Sequence, residues 1–338
     1  MAEGTGKTGI TARATLDFII AKKPKWTILE NAKTLGKDNV LAIQKCLNQK
    51  EFVAQPVMLD SARYGAVARR VRQYIVVEHV PGRSNEECQR GTSTMQTVAQ
   101  SLQMLEIGPG HLDAFLLDTH DPRRSTWLTQ ERAESEGNSN RGVKRAMAKG
   151  EGTEKYKVEH IDCFRRQNLA WPPDWKNDPE LAKACDYLPI RMREVAYYES
   201  HRPRDREERE AETAHDLNVS IQFGSNAKDQ LPTITCGSRI WLRKRMCELW
   251  GAEAMVVQGW PLKKLDTEKY NHQKLMHLAG NAFSGHCIMA LVMSILKSLN
   301  GPVYTVDASP DPNAVDVDVL SIELDDSCGD DGEEESES

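Results

Sequence analysis

The chain has 338 residues, 39% of them hydrophobic and 28% charged, with a formal net charge of −6. That is long enough for one large domain or two modest ones around a sizeable core. The longest apolar run, HCIMALVMSIL at 286–296, is too short to span a bilayer, and MAEGTGKTG lacks the apolar core of a secretory signal. The composition thus argues against membrane-spanning and secreted classes, and an intracellular protein is expected.

The charge is unevenly placed. From Gly301 onward there are thirteen acidic and no basic residues, which leaves 44 basic against 37 acidic residues in 1–300. A mildly basic body with an acidic tail is compatible with a nucleic-acid partner, although such a tail can equally serve solubility. The eight cysteines are scattered without a C-x-x-C pair, so no disulfide framework is expected. His160, Cys163, Cys185 and His215 have the wrong rhythm for zinc, and no metal is expected.

In chain order, TARATLDFIIAKK (11–23) has helical apolar spacing and stops at Pro24. WTILENAKTL (26–35) begins as a buried strand, Trp26–Leu29, and halts on Glu30 and Asn31. A carboxylate at the end of an apolar strand is costly unless it is paired, protonated or in use. Asp38 is placed to cap a second helix whose apolar side carries Val40, Leu41, Ile43, Cys46 and Leu47. Phe52–Leu59 and Gln73–Val77 read as strands, and the α-β-α-β alternation indicates an α/β sheet with helix-covered faces. The link between those two strands is too short for a helical crossover, so they should be antiparallel.

Residues 81–230 read as an irregular inserted domain. It includes a mobile basic loop, GNSNRGVKRAMAKGEG (137–152), a rigid turn, WPPDW (171–175), and a charged helix, PRDREERE (203–210). Order returns with LPTIT (231–235), Arg239–Trp250 and the helix after GNAFSG (280–285). Residues 301–338 are expected to be disordered.

GTGKTG (4–9) is not a phosphate loop, because the glycine required five residues before the Gly-Lys pair would be Met1. Glu30–Asn31 is a weak signal alone, since strand-end acids often cap helices or pair with bases. Its company strengthens it. DSARYGAVARRVRQYIVV (60–77) brings Arg69, Arg70 and Arg72 to the start of a strand, and Arg70 and Arg72 alternate, so both point the same way. Planar donors beside an acid suit a polar planar ring with a phosphate.

Together these segments resemble the DNA (cytosine-5) methyltransferases. ILENAKTL is similar to the family's Glu-Asn-Val motif, and ARYGAVARRVRQYIVV to its later Gln-x-Arg-x-Arg motif. LPTIT followed by GAEAMVVQGWP (251–261) resembles the segment ending in Gln-Gly-Phe-Pro. KLMHLAGNAFSGHCIMALVMSIL (274–296) resembles the final Gly-Asn-Ala-Val motif and its helix. The resemblance covers roughly 8–80 and 230–297. It implies part of an S-adenosylmethionine-methyltransferase-type α/β sheet at 1–80, a target-recognition-like insertion at 81–230, a closing segment at 231–300 and an acidic tail at 301–338.

By the same resemblance, Glu30 would bond N3 of a flipped cytosine and Asn31 would order the loop carrying the nucleophile. Arg72 would donate to O2 and Arg70 would hold the neighbouring phosphate, further out toward the rim. Asn281, Ala282 and Phe283 would close one edge of the S-adenosylmethionine pocket. The implied reaction is methyl transfer to cytosine C5 in DNA, in the nucleus. A partly desolvated Glu30 with a raised pKa suits its cytosine-holding role, whereas simple pairing with an arginine in the absence of DNA would lower it.

Some family features are missing. None of the fifteen prolines is followed by cysteine, so the Pro-Cys nucleophile is absent, as is the glycine-rich cofactor turn. Ala68 stands for Gln, Ala32 for Val and Trp260 for Phe; Cys247 and Val256 stand where arginines are usual. The chain should begin just downstream of the nucleophile loop and be inactive alone, unless a second chain completes it. The rival expectations are a non-catalytic DNA-binding or regulatory relative, and an unrelated α/β protein whose Glu-Asn and Arg-x-Arg are structural.

Overall fold

The helix that stops at Pro24 and the three strands after it build the first layer. In this computed structural model, which describes residues 7–32, 35–127, 129, 150–223, 228–264 and 269–299, α1 spans Lys7–Lys22 and β1 Trp26–Ala32. They are followed by α2 (Lys37–Asn48), β2 (Phe52–Asp60) and β3 (Val71–His79). β3 lies between β1 and β2 and is antiparallel to both, as the short link predicts. That link turns through a 3-10 segment, Ser61–Arg63, where Asp60 accepts from the Ala62 amide.

Period-two alternation gives the sheet two apolar faces. On one, Phe52, Ala54, Ile75 and Val77 pack against Leu16 and Ile19 of α1 and Val40 and Leu47 of α2. Leu41 departs from expectation and is exposed. Asp38 lies in the first turn of α2, whose N-cap is Gly36.

The other face holds Val53, Tyr74 and Val76. It is covered by α4 (Ser93–Met104), which follows the short α3 (Asn85–Gln89), and by the final helix, Gly285–Leu299. Residues 93–104 therefore belong to the sheet's cover, not to an inserted lobe. The reason is the apolar stripe Met95, Val98 and Leu102, which needs a partner surface.

A second core is built from α5 (Gly150–Arg166), α6 (Pro179–Cys185), α7 (Ile190–His201) and a small antiparallel sheet, while the charged α8 (Arg206–Glu210) buries no residue. That sheet is β4 (Ala214–Asp216), β5 (Ile240–Leu242) and β6 (Cys247–Glu248), in that order. Since β4 pairs with β5, it straddles the expected boundary at 230. α9 (Gly251–Val257) and α10 (His272–Asn281) complete it, and Gly285–Leu299 is α11. The described residues up to Leu299 form one compact unit rather than a sheet domain with a separate lobe. The basic loop within 137–152, for the most part, and the tail 301–338 lie outside the described residues. Among those described, no single helix is long and apolar enough to cross a membrane.

Candidate functional site

β1 runs through to Ala32, so Glu30 sits inside the strand rather than at its end. In the β1–β3 register Glu30 faces Tyr74 and Ala32 faces Arg72. Glu30, Tyr74 and Arg72 thus share a face, and the Arg72 Nε approaches Glu30 Oε1 to 3.3 Å. The acid and the guanidinium are brought together, and both are mostly sheltered, with side chains 17% and 23% exposed. Arg72 also donates from its other end to the Val71 carbonyl at 2.8 Å.

The carboxyl is less acidic than an ordinary glutamate. Burial raises its pKa, and the opposing pull of Arg72 and then Arg70 does not cancel that rise. Of the two opposed effects expected, the desolvation of a half-buried strand position outweighs one 3.3 Å ion pair.

Arg70 does not lie at the rim. It is 5% exposed, and its guanidinium donates to three backbone carbonyls: Ile234 at 3.0 Å, Gly280 at 3.1 Å and Ala282 at 3.2 Å. The reason is local. Segment 231–234 is zipped beside 67–70, with the Leu231 amide donating to Val67 and the Thr233 hydroxyl to Arg69, which closes a carbonyl-lined cage around Arg70. Burial, and next the like charge of Arg72, lowers its pKa.

Asn31, one residue on from Glu30, points to the opposite face. Its Oδ1 accepts from the Ala32 amide at 2.8 Å. With its cross-strand partner Gln73 it lines a cavity of about 210 Å³ whose other walls include Thr11, Thr15, Leu29 and Ile75. The structure therefore separates Asn31 from the carboxylate it neighbours in sequence.

Asn281 ends α10, and Ala282 and Phe283 follow in the turn to α11. Ala282 reaches the site through its carbonyl, held by Arg70. Asn281 is exposed and accepts at Oδ1 from the Cys236 thiol at 3.0 Å, while the Phe283 ring is 49% exposed. This turn is fixed from below by glycines. A Cβ on Gly280 would come within 2.2 Å of the Thr235–Cys236 backbone, and one on Gly259, where φ is +88°, within 2.9 Å of Gly285. The Gly285 amide donates to the Gln258 carbonyl at 2.6 Å, so QGWP and GNAFSG meet directly.

Sequence reasoning missed two participants. Tyr74 is fully buried beneath Glu30, beside the thiol of Cys287; the alternation of VRQYIVV already placed it on the face of Arg72. Cys236 sits next to Arg70 and Asn281, and no pattern in the sequence marked it. Chemically, a carboxyl beside a guanidinium presents an acceptor, or a donor once protonated, next to a fork of donors. That pair matches the N–C=O edge of a planar heterocycle.

No protein-family model matches the chain. It is similar to the DNA (cytosine-5-)-methyltransferase DMT5 of Cryptococcus neoformans var. grubii, with 24% identity over 308 residues. The match takes in 87% of this chain but spans only 12% of that relative's length. With Glu30 and Arg72 on one face and the QGWP and GNAFSG segments in contact, the chain resembles the DNA (cytosine-5) methyltransferases over most of its length.

Proposed function

We propose that this chain carries the base-holding part of a methyltransferase-type α/β region acting on cytosine C5 in DNA, with the nucleus as its place of work. The Glu30–Arg72 pair carries the reading. A protonated Glu30 would donate to N3 of an extruded cytosine, and Arg72 to O2, drawing electrons out of the ring as a nucleophile adds at C6. Extrusion is needed because the ring edge is out of reach inside the stack.

S-adenosylmethionine would supply the methyl group. The chain offers it one wall, the half-exposed Phe283 ring and the Asn281 carboxamide. A wall is not a cradle, and the Ala282 carbonyl is already taken by Arg70. The residues present do not fit the whole cofactor. The cofactor turn and the nucleophile would be supplied from outside these 338 residues. A second reading, in which the chain is a non-catalytic, DNA-binding regulatory relative, draws on the basic excess of residues 1–300, 44 basic against 37 acidic.

The test is binding of short duplexes carrying one mispaired, easily extruded base. Tighter binding of mispaired cytosine than of mispaired thymine, abolished in Glu30→Ala and Arg72→Ala, supports the base pocket. Equal binding of both bases by the wild-type chain refutes it. Salt-dependent binding without base preference leaves the regulatory reading standing.

A further inference from the structure

We infer that Arg70 is a positioning residue, the latch that holds the 280–283 turn and the 234–236 segment against the sheet, and not a ligand for a DNA phosphate. The inference deepens the function proposed above and rests on it for the identity of the site. Its guanidinium bridges three chain segments that are far apart in sequence: its own just ahead of β3, Ile234 on the second, and Gly280 with Ala282 on the third. Two of its terminal nitrogens are committed to carbonyls, and its Nε has no partner among the described residues and is buried, out of reach of a polymer backbone.

The backbone of Arg70 is fixed as firmly as its head. Its amide donates to Asp60 Oδ1 at 3.3 Å, and its carbonyl accepts from the Ser61 amide at 3.2 Å. Beyond the latch, Gly280 lies flat on Thr235–Cys236, so the two outer segments are also pressed on each other. Releasing Arg70 would free them as one body. Arg72, two residues on, is the arginine left with a side chain directed at the base-holding carboxylate. One arginine of the Arg-x-Arg pair thus builds the pocket wall, and the other works inside it.

The experiment compares Arg70→Lys, Arg70→Met and the unaltered chain by amide hydrogen exchange and by the salt dependence of binding to a 20-base-pair duplex. Loss of charge-assisted hydrogen bonds should speed exchange at 234–237 and 281–284 by about tenfold or more, while β1 and β3 amides stay protected. Lysine, which keeps the charge but not the fork, should restore protection only in part. The slope of log affinity against log salt should be unchanged in Arg70→Lys. A phosphate ligand would instead lower the slope by about one in Arg70→Met while leaving exchange alone, and that result overturns the inference. If Arg70→Met does not fold, the lysine variant decides, since unchanged exchange in a folded Arg70→Lys also overturns it. If the chain binds no duplex, the function proposed above fails, and the exchange measurement still judges the latch.

Discussion

Arg72 reaches Glu30 at 3.3 Å, yet the carboxyl remains less acidic than a free glutamate because the strand position that brings them together also strips water from the acid. A raised carboxyl pKa means that the folded chain keeps this proton to higher pH than the unfolded chain does. Stability from Glu30 is therefore greatest at low pH and declines as pH rises through the folded value, above the ordinary 4.5. Glu30→Gln cannot ionise, so its stability relative to the unaltered chain should improve as pH climbs from about 4.5 to 7. Urea unfolding at both pH values measures this, and a relative stability that falls with pH would contradict the assignment.

Tyr74 supports the same carboxyl from below. It is fully buried and faces Glu30 across the strands. Tyr74→Ala should cost about 3–5 kcal/mol, as for other buried aromatics cut to alanine. It should also let water reach Glu30, moving its titration, followed by carbon-13 NMR, back toward the ordinary range. Tyr74→Phe keeps the ring and should leave that titration in place. A shift in the phenylalanine variant as large as in the alanine one would show that the hydroxyl, not the ring, matters.

Much of this site could be read from residue order, for definable reasons. Alternation along VRQYIVV put Arg72 on one face, and the brevity of the 61–70 link dictated antiparallel pairing, which the structure bears out. Burial of Arg70 was not legible, because its three acceptors are carbonyls, two of them in Gly280 and Ala282, more than two hundred positions away. Side-chain type says nothing about a backbone oxygen. The domain limits shifted for a similar reason: α4 reads as polar and irregular locally, but its Met95–Val98–Leu102 stripe finds the sheet only in three dimensions.

Gly280 and Gly237 make a paired test of the turn. An added Cβ at Gly280 would strike backbone at 2.2 Å, whereas at Gly237 it would meet nothing within 4 Å. Gly280→Ala should therefore destabilise by about 1–3 kcal/mol, as overpacking does, and raise exchange in 281–284. Gly237→Ala should be near neutral. Equal thermal midpoints for the two variants would mean that the 235–280 contact is not tight in solution.

The second core has its own acid of opposite character. Glu248 is fully buried; burial alone would raise its pKa, but the Arg239 guanidinium, bonded to both oxygens at 3.0 and 2.7 Å, and His272 at 3.2 Å hold it at about 2. Its contribution is then present above the unfolded value near 4.5 and is lost as pH falls from there toward 2. Removing one member of such a buried pair leaves the other uncompensated, so Glu248→Ala should cost about 3–5 kcal/mol at pH 7. The penalty should shrink in acid, and one that grows instead would reverse the sign of the shift.

Methyl transfer by these 338 residues alone is the sharpest test of the proposed function. Attack on a cytosine ring needs an accessible thiol on the Glu30–Arg72 side of the sheet. Cys46 is carried by α2, which covers the opposite face. Cys287 is on the correct face but fully buried, and burial pushes its thiol up to about 11. Cys236 is exposed, but its thiol proton is donated to Asn281 and it sits beyond Arg70. None of these three is placed to serve as the nucleophile. Incubation with tritiated S-adenosylmethionine and duplex DNA should give no incorporation above a protein-free control. A duplex containing 5-fluorocytosine should likewise form no covalent adduct. Adding a polypeptide that bears a Pro-Cys loop and a glycine-rich cofactor turn should restore transfer, and Glu30→Ala or Arg72→Ala in this chain should abolish the restored activity. Incorporation by the unaccompanied chain that disappears in Cys236→Ser would instead make that exposed thiol the nucleophile and end the two-part reading.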